Sequence, residues 1–236
     1  MFEWIGFDAD DTLWKNSEYY LAAREEFIKI TQKYGLSAGD IDRFDDFEIE
    51  NIQYYGYGVM SFILSMIEIA VEHTQGEITS LDIQHLVQIG KNMLSKDVEV
   101  YDGIEELLND LSKRYPLILI TKGDLFHQQR KIKSSGLKNF FKSVEIVSEK
   151  SPAVYSDILD RHAINPDRFL MVGNSLRSDI LPVLDLGGIT IHFANHLTWS
   201  HEAKSPKELP LDRYQEVKRI EDVLEAVKKF EGSGLR

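Results

Sequence analysis

Short apolar runs that stop on polar residues set the architecture this chain can adopt. Trp4–Phe7, Pro116–Ile120, Val144–Val147, Phe169–Val172 and Ile189–Phe193 are rich in Ile, Val and Phe and are bounded by turn signals. Runs of that length and composition read as strands buried on both faces, the habit of a parallel sheet. Helix-period stripes separate the later ones. Ile104, Leu107, Leu108 and Leu111 form one stripe, and Val154, Ile158 and Leu159 a second, opened by Ser151-Pro152 as an N-cap and N1 pair. Val217, Ile220, Val223, Leu224, Val227 and Phe230 read as a closing helix. Strand and helix alternating in this way predict an open α/β parallel sheet with helices on both faces.

Residues 15–99 break that rhythm. They hold no convincing strand and read as amphipathic helices, for example Tyr20–Tyr34, Met60–His73 and Leu81–Leu94. The spacing therefore predicts a core made of residues 1–14 and 100–236, with residues 15–99 as a second, smaller, all-helical domain. The two crossings fall near Trp14–Asn16 and Val98–Asp102. The tail from Gly232 to Arg236 reads as mobile.

Composition narrows the partners. Over 236 residues the net charge is −12, and there is no cysteine. An acidic chain is poorly suited to a phosphate backbone or an anionic membrane surface. Without cysteine there is no disulfide framework, thiolate nucleophile or Cys-ligated zinc. The longest apolar stretch, Val59–Val71, contains Glu68 and is too short to span a bilayer. The start Met1-Phe2-Glu3-Trp4 has no targeting pattern, so a soluble cytoplasmic protein, monomer or homodimer, is expected.

The polar residues at the strand ends carry the chemistry. The first strand runs into Asp8-Ala9-Asp10-Asp11-Thr12, the second into Thr121-Lys122-Gly123-Asp124, the third into Ser148-Glu149-Lys150, and the fourth into Gly173-Asn174-Ser175-Leu176-Arg177-Ser178-Asp179. Ligands of open α/β sheets bind outside the carboxyl ends of the strands, so these clusters are expected to share one crevice. Crowded carboxylates force one another neutral unless a cation sits among them. Asp8, Asp10 and Asp179, with the amide oxygen of Asn174, make an oxygen-only set suited to magnesium, Mg2+. Lys150, Thr121 and the backbone N–H groups of Lys122 and Gly123 are expected to bind phosphoryl oxygens.

Phe7-Asp8-Ala9-Asp10-Asp11-Thr12-Leu13 resembles the first motif of the haloacid dehalogenase-like (HAD) hydrolase superfamily, and Thr121, Lys150 and Gly173–Asp179 follow in order as its second, third and fourth. The helical insert resembles that superfamily's C1-type cap, and the resemblance spans essentially the whole chain. It implies a Rossmann-like core and a Mg2+-dependent phosphatase acting on a small phosphorylated metabolite. Asp8 is then the nucleophile that becomes an aspartyl-phosphate, Asp10 the acid and base, and Thr121 and Lys150 the holders of the phosphoryl oxygens, with Asp11 either nearby among the phosphate-binding residues or, as an acid in a strand-to-helix turn, a cap of the next helix. The metal would rest on Asp8, the Asp10 carbonyl, Asn174 and Asp179. Asn174 stands where the pattern has Asp, and Lys150 is one residue further from Pro152 than usual. Asp10 is an acid where the dehalogenating branch has none, which favours a leaving group that needs a proton.

Other readings remain open at this stage. Phosphonate cleavage needs an amine in the insert, for which Lys15, Lys29, Lys33, Lys91 and Lys96 are candidates; phosphosugar mutase action, dehalogenation, a phosphorylation switch and a binding module are the others. Arg130, Lys131, Lys133, Lys138 and Lys142 read as a solvated helix face, the acidic run Asp40–Glu50 as surface, and His127, His192 and His196 as surface or packing residues. Tyr54-Tyr55-Gly56-Tyr57-Gly58 reads equally as a substrate-facing loop or as packing at a helix junction.

Overall fold

The computed structural model describes residues 2–35, 38–194, 199, 201–202 and 209–232, the side chains of 38–43 excepted. His196, the tail beyond Gly232 and the side chains that open the acidic run, 40–43, lie outside the described residues. The elements run β1 (Trp4–Phe7), α1 (Ser17–Gln32), α2 (Ala38–Tyr55), α3 (Val59–His73), α4 (Ser80–Ser95), α5 (Ile104–Ser112), β2 (Leu117–Lys122), α6 (Leu125–Ser134), β3 (Ser143–Val147), α7 (Pro152–Arg161), β4 (Phe169–Gly173), α8 (Leu181–Asp185), β5 (Ile189–Phe193), β6 (Tyr214–Val217) and α9 (Glu221–Gly232). A π-helical turn, Leu176–Ile180, leads into α8. Among the described residues no helix is long and apolar enough to cross a membrane.

The six strands form one sheet in the order β3-β2-β1-β4-β5-β6, and every pairing is parallel. Successive strands step outward from β1 to β3, then from β4 to β6. The direction reverses between β1 and β4, the place where such sheets open a crevice at their carboxyl ends. Phe7, the last residue of β1, is opposite Leu119 on one side and Val172 on the other, so Asp8 emerges at that crevice.

Period two explains how the sheet is buried. Leu117, Leu119, Leu170, Val172, Ile189 and Ile191 pack on one face with Ile104, Leu108 and Leu111 of α5 and Val223, Ala226 and Val227 of α9. Ile118, Ile120, Phe169 and Met171 point to the other face, against Tyr155, Ile158 and Leu159 of α7 and Val183 of α8. Each such side chain contributes about 1.5–3 kcal/mol by leaving water. α7 starts as its sequence indicates: Ser151 accepts from the Val154 N–H at 3.3 Å and Pro152 fills the first turn.

One sequence expectation is corrected. Val217 belongs not to the closing helix but to β6, opposite Phe193; the helix begins at Glu221. The strand Tyr-Gln-Glu-Val lies at the sheet edge and lacks the continuous apolar run that marks the inner strands.

The chain divides into two compact units, Met1–Ser17 with Val98–Arg236, and Glu18–Asp97. The second unit holds α1–α4 around its own core of Phe27, Phe44, Phe62, Met66 and Leu86. Phe44, inside the acidic run, packs edge-on against Phe62 with ring centroids 5.5 Å apart.

Candidate active site

The turn after β1 places the first motif. The Asp8 N–H donates to the Val172 carbonyl at 2.9 Å, and the N–H groups of Thr12 and Leu13 both donate to the Ala9 carbonyl. Thr12 is thereby carried back over Asp8, and its hydroxyl donates to Asp8 Oδ2 at 2.8 Å. The same hydroxyl lies 3.4 Å from Asn174 Oδ1. On the other side Lys150 Nζ donates to Asp8 Oδ1 at 2.5 Å and to Asp179 Oδ1 at 2.6 Å. Asp179 Oδ2 accepts from the Ser175 N–H at 2.9 Å. The cap of the following turn is Ser175, which accepts from the Ser178 N–H at 2.9 Å, so Asp179 is not serving as a helix cap. Gly173 makes this approach possible, because a Cβ there would lie 2.4 Å from Asp179 Cγ. Asp8, Lys150, Asn174 and Asp179 are all buried.

Burial, with Asp179 beside it, pushes the Asp8 carboxyl up to about 7 despite the opposing pull of Lys150. Burial alone would lower the Lys150 ammonium, but the carboxylates of Asp179 and Asp8 raise it well above its ordinary value and keep it charged. Two acids and one cation leave the cluster short of positive charge.

Asp10 faces elsewhere. Its carboxylate accepts from Trp14 Nε1 at 2.6 Å, from Lys131 Nζ at 2.6 and 2.7 Å, and from Gln128 Nε2 at 2.9 Å. Burial alone would raise its pKa, but Lys131 and the other donors outweigh it and bring the net value down. The expected three-carboxylate set is therefore corrected: the Asp10 side chain is taken up by Lys131, and among the described residues no group of three acidic or histidine side chains forms a ready metal cluster. The oxygens of Asp8, Asn174 and Asp179 and the backbone carbonyl of Asp10 remain. They are hard donors around a charge-deficient centre, a set that fits Mg2+.

The expected phosphate-binding residues divide. Thr121 is buried and its hydroxyl accepts from Gln128 Nε2 at 3.2 Å. Gly123 does not offer its N–H, which donates to the Val147 carbonyl at 3.1 Å. Lys122 sends its ammonium to Ser178 Oγ at 2.8 Å and to Glu202 Oε1 at 2.6 Å. Asp11 is a loop residue with φ 61°; its N–H donates to the Trp14 carbonyl, and its carboxylate accepts from the Asn16 and Ser17 N–H groups and the Ser17 hydroxyl. Those bonds hold the entry to α1, a structural role for Asp11.

The sequence reading missed Thr12, Gln128, Lys131 and Glu202 as site residues. Arg130, Lys133, Lys138 and Lys142 are exposed as expected, but Lys131, assigned to the same solvated face, is largely buried against Asp10. His192, expected at the surface or in packing, is buried beside the Asn174 carbonyl at 3.1 Å.

Comparison with known proteins follows the same lines. The sequence profile of the haloacid dehalogenase-like hydrolases matches residues 2–187. A crystal structure of a haloacid dehalogenase-like family hydrolase from Xanthomonas campestris superposes with a TM-score of 0.86 at 39% identity, covering 98% of this chain and 93% of that one. The chain is 26% identical to pyrimidine 5'-nucleotidase YjjG of Escherichia coli over 87% of its own length and 89% of the other. It is 24% identical to mouse (Mus musculus) N-acylneuraminate-9-phosphatase, covering 78% of each. A strand-end Asp8 bridged by Lys150 to Asp179 thus sits in a chain whose sequence and fold agree: it belongs to the haloacid dehalogenase-like hydrolases.

Proposed function

We propose that this hydrolase is a Mg2+-dependent phosphatase that removes the phosphoryl group of a small phosphorylated metabolite through an aspartyl-phosphate on Asp8. The observation that carries the reading is Asp8 at the sheet's switch point, bonded by Lys150 and Thr12, with a second acid, Asp10, two residues on. The relatives named as a nucleotidase and a phosphatase support it.

In this reading Asp8 forms a bond to phosphorus as the ester P–O bond breaks. Thr121 and Lys150 hold phosphoryl oxygens. Asp10 then takes a proton from the water that attacks phosphorus, the Asp8–phosphorus bond breaks and inorganic phosphate leaves. The Lys131 contact favours ionised Asp10, which suits the base step; donating a proton to an alkoxide leaving group requires Asp10 to be protonated against that contact. Asp8, Asn174 and Asp179, with the Asp10 backbone carbonyl, would hold Mg2+, which supplies positive charge for the phosphoryl oxygens. We assign substrate selection to the helical unit as the cap.

The test is turnover of p-nitrophenyl phosphate with and without Mg2+, wild type beside Asp8→Asn. The reading expects turnover that needs Mg2+ and is lost in the variant. Equal rates in the two proteins would overturn the nucleophile assignment. A panel of phosphorylated metabolites then identifies the substrate.

A further inference from the structure

We infer that Lys131 and Gln128 are positioning residues that hold the Asp10 carboxylate for the hydrolysis of the Asp8 phosphoenzyme. The inference rests on the phosphatase reading above and goes beyond it, because α6 carries no residue of the four motifs.

The geometry is specific. Gln128 and Lys131 stand one turn apart on α6 and so share a face. The helix is anchored at its start by Asp124, which accepts from the His127 N–H at 2.8 Å. Lys131 Nζ reaches both oxygens of Asp10, at 2.6 and 2.7 Å, and also Asn16 Oδ1 at 3.3 Å. Its side chain is 11% exposed. A lysine that served only solubility would leave its ammonium in water.

Gln128 ties the two halves of the site together. Its single amide nitrogen donates to Asp10 Oδ2 at 2.9 Å and to the Lys122 carbonyl at 2.8 Å, and lies 3.2 Å from Thr121 Oγ1. The side chain therefore fixes the distance between the acid-base residue and a phosphate holder. It is 3% exposed, and its amide oxygen is buried with no hydrogen-bond partner among the described residues. Buried polar atoms are seldom left in that state, and a bare acceptor on the side chain that bonds Asp10 is suited to a donor that arrives with the reaction, such as the attacking water. Trp14 Nε1 completes the cradle at 2.6 Å.

A carboxylate so held is a base fixed in place by side chains of a helix. Its use is in the second step, where water loses a proton to Asp10 as its oxygen bonds to phosphorus and the Asp8 carboxylate departs. The first step on p-nitrophenyl phosphate expels a stabilised phenolate that needs no proton. Loosening Asp10 should therefore slow the second step selectively.

The experiment compares wild type, Lys131→Met, Lys131→Arg and Gln128→Met with p-nitrophenyl phosphate and Mg2+. It measures kcat and KM, and the phosphorylated fraction by intact-protein mass after acid quench. Lys131→Met is expected to lose about ten-fold in kcat, with a parallel fall in KM and at least about a three-fold rise in phosphoenzyme, since kcat/KM reports only the first step. Lys131→Arg should recover most of kcat. Gln128→Met, nearly the same shape, should shift the same way and keeps the test available if Lys131→Met fails to fold. Kinetic constants and phosphoenzyme within two-fold of wild type in the folded variants would overturn the inference alone. A fall in kcat/KM with no phosphoenzyme build-up would do so too, since it marks general damage. A wild type that neither turns over nor becomes labelled would overturn the phosphatase reading and this inference with it.

Discussion

Lys150 joins Asp179 at 2.6 Å with both side chains almost wholly removed from solvent, 2% and 1% exposed. Its second bond, to Asp8, makes it a cation shared by two buried acids. Removing one partner of a buried ion pair costs more than the pair contributes, because the remaining charges stay behind without water. Lys150→Met is expected to lose about 3–5 kcal/mol of stability at neutral pH and all measurable turnover. Urea unfolding monitored by circular dichroism checks the first, and the phosphatase assay the second. A stable Lys150→Met protein would show that Asp8 and Asp179 do not depend on it.

Glu202 makes a similar prediction with a pH signature. Its carboxylate accepts from Lys122 Nζ at 2.6 Å and from the hydroxyls of Ser178, at 2.5 Å, and Ser175. Burial alone would raise the group, but Lys122 and the hydroxyls outweigh it and hold the carboxyl down at about 2. A folded value below the unfolded one stabilises the fold above the unfolded value, near 4.5, and that contribution fades as pH falls towards 2. Glu202→Gln should therefore be less stable than wild type by about 2 kcal/mol at pH 7, with the gap closing progressively below about pH 4.5. Paired thermal melts from pH 7 to pH 3 measure it. A gap that stays constant over that range would show that the carboxylate charge is not the source.

Gly173 tests the packing of the fourth motif. Adding one methyl group there sets a carbon 2.4 Å from Asp179 Cγ and 2.5 Å from its Cβ. Neither the strand nor the turn has room to absorb that without shifting. Gly173→Ala is expected to lose about 1–3 kcal/mol and, by moving Asp179 off Lys150, most of its activity. Unfolding and turnover measured on the same preparation separate the two effects. Wild-type values for both would mean that the turn yields freely.

Most strands were legible in the sequence because burial leaves mainly apolar residues in them, and Asp8, Lys150 and Asp179 because each follows such a run. Two kinds of feature were not. β6 is an edge strand whose lone buried residue, Val217, fits a helical stripe as well as a strand. Lys131 and Gln128 occupy ordinary positions on an amphipathic helix, and their partner Asp10 lies 121 and 118 residues away. Nothing local distinguishes Lys131 from the exposed Arg130 and Lys133 on the same helix. Asp10 was named for its motif, but only the fold decides which way its carboxylate turns.

The helical unit carries an acid whose burial works against stability. Glu48 lies on α2, where burial and the nearby Asp45 push its carboxyl up to about 7, opposed by Arg24. Arg24 is already committed: it bonds Asp45 at 2.6 Å and stacks over the Phe44 ring at 4.8 Å. The sign is opposite to that at Glu202. A folded value raised above the unfolded 4.5 gives its full contribution below that pH and loses it as pH rises through about 7. Glu48→Gln removes the ionisation while keeping the shape and one polar head. It should match wild type near pH 4.5 and exceed it by about 1–2 kcal/mol at pH 8, the lower end reflecting partial access to water. Unfolding at a series of pH values reads the difference directly. A stabilisation independent of pH would locate the effect in packing, and a loss at pH 8 would show that ionised Glu48 is well paired.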